Sequence, residues 1–155
     1  MEEGAMLLRL FIYGALGWSV EIVWTAVCAL VTGARWDPAG HVRRVALTRD
    51  ERLLLIGHTY LWMFPIYGFG GLAFETCHEI VRGWPWIARG ALWTGLIFAV
   101  EYASGALLRR LTGRCPWDYG GARYSLDGLI RIDYAPLWFL FGLLLERVHD
   151  AVGAG

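Results

Sequence analysis

Four long apolar runs alternate with polar, arginine-rich connections along the chain. A helix needs about 20 residues to cross the hydrocarbon core of a bilayer. The runs at about 6–31, 60–81, 86–108 and 134–148 reach or approach that length. The last is the shortest, and flanking interfacial residues or local thinning of the bilayer would accommodate it. The pattern predicts an all-α integral membrane bundle of about four transmembrane helices. It forms one multi-pass domain over 1–155, with a structured loop before the last helix.

Two of the runs carry internal punctuation. In "WMFPIYGFGG" Pro65 fits only the first turn of a helix, where its missing N–H is not needed. The expectation is therefore an irregular lead-in over His58 to Phe64 and helix from about Pro65. Gly68, Gly70 and Gly71 then give that helix a thin face on which a neighbour can approach. "RGWPW" (82–86) reads as a tight turn with two indoles at a water interface, and "TRDERLLL" (48–55) as a short interfacial helix.

Composition strengthens this picture. Apolar residues make up 57% of the chain and charged residues 18%, against about 45–50% and about 25% in soluble domains. The acidic start and the length of the first run predict a retained span and no cleaved signal peptide. All 14 basic residues are arginine and the net charge is +0, so no electrostatic footprint for nucleic acid is present. Cys28, Cys77 and Cys115 have no paired spacing, which indicates neither a disulfide framework nor a zinc site. Arginines concentrate in the two long connections, after the first and third runs. The positive-inside rule then places those connections in the cytoplasm and both termini outside.

Against that apolar background the acids stand out. Glu21 lies near the middle of the first run and Glu101 near the middle of the third. A charge at a helix centre costs about 2.5–3.5 kcal/mol on insertion scales, so each must be neutral, paired or facing a wet cavity. Gly14, Gly17 and Glu21 share one helix face; Thr94, Glu101, Ser104 and Gly105 share another. Both acids should therefore point into protein, either as a hydrogen-bond network that pins helices or as a site for a proton, ion, substrate or chemistry. "ETCHE" adds Glu75, His78 and Glu79 near the end of the second run. Its Glu-x-x-His spacing occurs in di-iron bundles, which need a second such motif. None is present, so the reading is an interfacial helix end, with no metal and no cofactor. His41, His58 and His149 read as surface or interfacial residues.

The segments "GWSVE" (17–21), "PIYGFG" (65–70), "EYASG" (101–105), "CPWDY" (115–119) and "LDGLI" (126–130) occur in an order that resembles the transmembrane protein 229 family and its bacterial relatives, the CmpB-like ABC-transporter type IV proteins. The resemblance covers most of the chain outside the loop at 37–51 and the extreme termini. It implies a multi-pass membrane protein, here of a bacterial inner (plasma) membrane. Its recurring polar positions fall on Glu21, Tyr67, Glu101, Trp117, Asp118 and Tyr119, with Gly68, Gly105 and Gly128 as structural glycines. Arg109 and Ser125 depart from the pattern of many bacterial relatives, and no role is carried to them. The resemblance also suggests that "CPWDYGGARYSLDGLI" folds back on the bundle. Trp117 and Tyr119 would anchor it, Asp118 would cap a helix end or meet an arginine, and Gly120 and Gly121 would free the turn.

The leading functional expectation is transport of an ion or small solute, with Glu21, Glu101, Asp118, Tyr67 and Glu75 lining the cavity. An intramembrane enzyme acting on a lipid or other membrane-soluble substrate, and an accessory membrane subunit, are the alternatives. Four helices are few for alternating access, so the expected partners are the lipid bilayer, a second copy of the chain and an unidentified small ligand.

Overall fold

The computed structural model describes residues 2–32, 34–36, 42–44 and 54–153. The protein is 75% helical. Its helices are α1 (Glu2–Thr32), α2 (Met63–Val81), α3 (Trp86–Thr112) and α4 (Ala135–Gly153). Among the described residues they are accompanied by two small antiparallel strand pairs: β1 (Ala34–Trp36) with β2 (Val42–Arg44), and β3 (Ser125–Leu126) with β4 (Ile130–Arg131). A single 3-10 turn, Ile132–Tyr134, leads into α4. The expected short helix at 48–55 and His41 lie outside the described residues, apart from Leu54 and Leu55, which are not helical. The chain divides into two compact units, Met1–Ala73 and Phe74–Gly155.

In the first unit, α1 and the start of α2 interlock through glycines. A Cβ on Gly14 would lie 2.9 Å from the Phe64 ring, and one on Gly17 only 2.2 Å from Tyr67 Cγ. The arrangement is reciprocal, since Gly68 receives Leu10 and Gly71 receives Tyr13. Gly70, expected on the same thin face, meets nothing within 4 Å. Before α2 the backbone at 55–60 is irregular, as Pro65 predicts, although the helix starts two residues earlier, at Met63. Proline lacks only its own N–H, so in the first turn it leaves the helix intact.

In the second unit, α3 packs on α4 in the same way. Gly90 accepts the Phe139 ring, and Gly142 accepts Trp93, where a Cβ would lie 2.3 Å from Trp93 Cβ. Phe74, Val81 and Trp93 form a buried cluster with Cys77, Leu92 and Leu145 packed against it. The turn at 82–85 is closed by the Trp84 N–H donating to Val81 O at 2.8 Å.

The connection between α3 and α4 is more ordered than a plain loop. α3 stops at Gly113, in the left-handed region, with its N–H bonded to Arg109 O, the usual αL termination. Asp127 and Gly128 both have positive φ, 52° and 73°, as the centre of a type I′ hairpin turn demands. Leu129, fully buried, packs this hairpin onto Gly105 of α3. The expectation that Gly120 and Gly121 supply the conformational freedom is corrected: among the described residues the positive-φ glycines are Gly113 and Gly128.

α1 and α3 are long and apolar enough to cross a membrane, and only 17% of the apolar window of each is buried within the protein. A helix at the core of a soluble domain would bury most of that surface. On α1, Leu7, Phe11, Leu16, Val20 and Val23 are all at least half exposed. An apolar area this continuous marks a surface that meets a membrane or another protein.

Candidate functional site

Glu21 sits on the buried, glycine-bearing side of α1. Its carboxylate accepts from Thr59 Oγ1 at 2.6 Å and from the Tyr67 hydroxyl at 3.1 Å. The sequence reading brought Glu21 and Tyr67 forward but missed Thr59, which stands on the irregular segment and has no periodicity to expose it. That segment is tied along the middle of α1 by further polar contacts. The Trp18 indole donates to Tyr60 O at 3.0 Å, and Thr25 Oγ1 accepts the His58 N–H at 2.9 Å. Backbone groups that regular structure leaves unpaired are thus taken up by α1 side chains, as burial requires. Gly57 comes so close that a Cβ would lie 1.8 Å from Ile22 O.

Glu101, on α3, is differently placed. Its Oε2 is buried, and the polar group that faces the carboxyl is the Trp138 indole N–H of α4. Around them stand Cys115 and Tyr119 of the connecting segment. Burial pushes the Cys115 thiol up to about 11. Burial first, and the nearby Glu101 charge second, push the Tyr119 phenol above its ordinary value. Trp138 was not foreseen, because an indole in an apolar run is normally read as an interface anchor.

The connecting segment holds its own polar set in a self-contained way. Trp117 Nε1 donates to Leu129 O at 2.9 Å, and the Tyr119 N–H donates to Gly128 O at 2.9 Å. Asp118 neither caps a helix nor meets an arginine among the described residues. Its exposed carboxylate accepts the Gly120 N–H at 2.8 Å, closing a turn within the segment. Aspartate does this readily because its short side chain reaches the backbone two residues on. The arginine contact falls elsewhere, from Arg109 Nη1 to Asp127 O at 2.9 Å.

A third polar group joins the C-terminal ends of α2 and α4. Glu146, 3% exposed, accepts from the Trp93 indole at 2.7 Å, and Arg89 Nε stands 3.2 Å from it. His78, 1% exposed, lies with Nδ1 3.6 Å from Glu146 and Nε2 3.0 Å from Asp150. His149 is 3.9 Å from Glu75 and 3.8 Å from Asp150. Arg82 bridges Glu79 and Asp150 at 3.1 and 2.7 Å. The sequence reading placed Glu75, His78 and Glu79 together but did not join them to α4. The signal was available: Glu146 interrupts the apolar run "WFLFGLLLERV" as Glu101 interrupts its own.

These features define a nearly all-α protein with four helices, two of them of membrane-crossing length and largely unburied. A family model described as "Putative ABC-transporter type IV" matches residues 8–153. The chain belongs to that family, in agreement with the resemblance carried by its ordered motifs. No solved structure matches the chain.

Proposed function

We propose that the protein is a multi-pass integral membrane protein that moves an ion or small solute, with Glu21 and Glu101 as the carboxylates that meet the cargo. The observation that carries the reading is the irregular backbone at 55–60 lying along the middle of α1, with Glu21 bonded to Thr59 within it. Non-helical backbone at membrane depth is tolerated where it is held by protein or lines a cavity, and transporters place their sites at such broken helices. Glu101, whose carboxyl faces the Trp138 indole and pairs with no cation among the described residues, supports the same reading, since an intramembrane carboxylate without a counter-charge is expensive unless something visits it.

In this reading α2 and α4 also cross the bilayer. Each has 19 residues, which rise about 28 Å against about 30 Å of hydrocarbon. The charged residues of both lie toward one end, where Glu146 is paired within the protein with Arg89 and Trp93 and headgroups would solvate the exposed remainder. The proposed location is the inner membrane of a bacterium, and the proposed assembly a homodimer within the lipid bilayer.

The test is flux in proteoliposomes, comparing wild type with Glu21→Gln and Glu101→Gln across a panel of monovalent cations, protons and small anions. Loss of a wild-type flux in both variants is the expected result. Flux unchanged in both would end this reading.

One observation favours a second reading, a membrane subunit that works beside an ATPase on another chain. These 155 residues contain no lysine and no glycine-rich phosphate loop, so the nucleotide chemistry of an ABC system would lie elsewhere. Isolation with a defined ATPase, together with tolerance of both glutamine variants, would favour it over the first.

A further inference from the structure

We propose that His78, Glu79, His149 and Asp150 form a four-coordinate zinc-type metal site that clamps the C-terminal end of α2 to that of α4. One donor atom from each of His78, Glu79 and His149 can be chosen so that all three lie within 4.8 Å of one another. Asp150 Oδ1 stands 3.0 Å from His78 Nε2 and 3.8 Å from His149 Nδ1. Donors about 2.0–2.1 Å from a tetrahedral ion lie about 3.3 Å apart. The His78–Asp150 separation is already at that scale, and the others need only side-chain closure.

The chemistry of the donors selects the ion. Two imidazoles and two carboxylates suit zinc or another late first-row divalent ion, while magnesium and calcium prefer all-oxygen sets. His78 supplies an independent indication. It is 1% exposed, its Nδ1 has no hydrogen-bond partner, and the buried Glu146 carboxylate stands 3.6 Å from that nitrogen. A metal-bound histidine characteristically directs its second nitrogen at a carboxylate, which fixes the ring and raises its basicity. Binding through Nε2 would place Glu146 in that role, and closure of the site would shorten the contact.

The neighbouring cations fit this arrangement. Arg82 now bridges Glu79 and Asp150 with a half-exposed side chain, so it can swing into solvent as the ion takes its carboxylates. Arg89 remains paired with Glu146. Glu75, 3.9 Å from His149, stands ready to orient that ring in the way Glu146 orients His78. The proposal is independent of any transport role for Glu21 or Glu101, and its test does not involve flux.

Tag-free protein in detergent micelles is titrated with Co2+ alone, read by the visible ligand-field absorption that four-coordinate cobalt shows strongly and octahedral cobalt weakly. One cobalt per chain with intense bands, displaced by Zn2+, is expected. His149→Gln and Asp150→Asn alter the more accessible ligands and leave the buried His78 in place. Each is expected to weaken binding on the order of tenfold or more with an unchanged circular dichroism spectrum. A weak octahedral-type spectrum in the wild type, or the same affinity in folded His149→Gln as in the wild type, would overturn the proposal.

Discussion

The Trp93 indole on α3 donates to Glu146 on α4 at 2.7 Å, and both side chains are almost completely withdrawn from solvent. Arg89, one turn before Trp93, holds the same carboxylate at 3.2 Å. This carboxylate therefore gathers an indole, a guanidinium and the His78 imidazole in one place. Removing it as Glu146→Ala leaves a largely buried guanidinium unpaired, and breaking such a pair costs about 3–5 kcal/mol. Glu146→Gln keeps the indole acceptor and should cost less. Denaturant unfolding in mild detergent, comparing the two variants, checks the order.

The glycine at position 17 is a packing requirement. Gly17→Ala would put a methyl group 2.2 Å from Tyr67 Cγ, and forced overpacking costs about 1–3 kcal/mol. The displaced Tyr67 would also lose its bond to Glu21. Gly70→Ala, with nothing within 4 Å, is the matched control and should be near neutral. Thermal unfolding of both variants in the same detergent separates them.

Gly128 carries a backbone cost instead. Its φ of 73° lies in the left-handed region, where a Cβ costs roughly 1–2 kcal/mol. The added group would also stand 3.1 Å from Asp118 Oδ1. Gly128→Ala is expected to loosen the β3–β4 hairpin before anything else. Faster amide exchange at Tyr119 and Leu129, whose N–H groups bond within this segment, would report it.

Cys115 gives a pH dependence with a definite sign. Burial raises its thiol from an ordinary 9.0 to about 11. The folded chain therefore keeps between those values a proton that the unfolded chain has released. The contribution to stability is complete below pH 9, declines as pH rises and is gone above about 11. Alkylation should follow the same course, because the thiolate is the nucleophile. Reaction with iodoacetamide is expected to be slow at pH 8 and to accelerate only toward pH 11. A profile centred near pH 9 would contradict the burial.

How far these features could be read from the sequence depends on the distance over which each is decided. Pro65 marked the break before α2 because proline acts on its own turn, and Gly14 and Gly17 marked the inner face of α1 because helical period is local. The β3–β4 hairpin was equally local, in "SLDGLIR", where Asp-Gly sits between apolar residues. It went unread because a membrane-depth pattern drew the segment as a loop. Thr59 and Trp138 were not legible, since each depends on which distant elements meet, and for the pairing of His78 with α4 only the interruption by Glu146 was visible. Asp118 illustrates the opposite error: a charge beside aromatics suggested a long-range partner, and its carboxylate is satisfied two residues away.

The exchange of notches between α3 and α4 has a mechanical consequence. Phe139 occupies the hollow at Gly90, and Trp93 occupies the hollow at Gly142. With a peg on each rail seated in a socket on the other, neither helix can slide along its neighbour without lifting a ring out of its seat. The pair behaves as a single strut. Any displacement of α3 would therefore carry α4 with it.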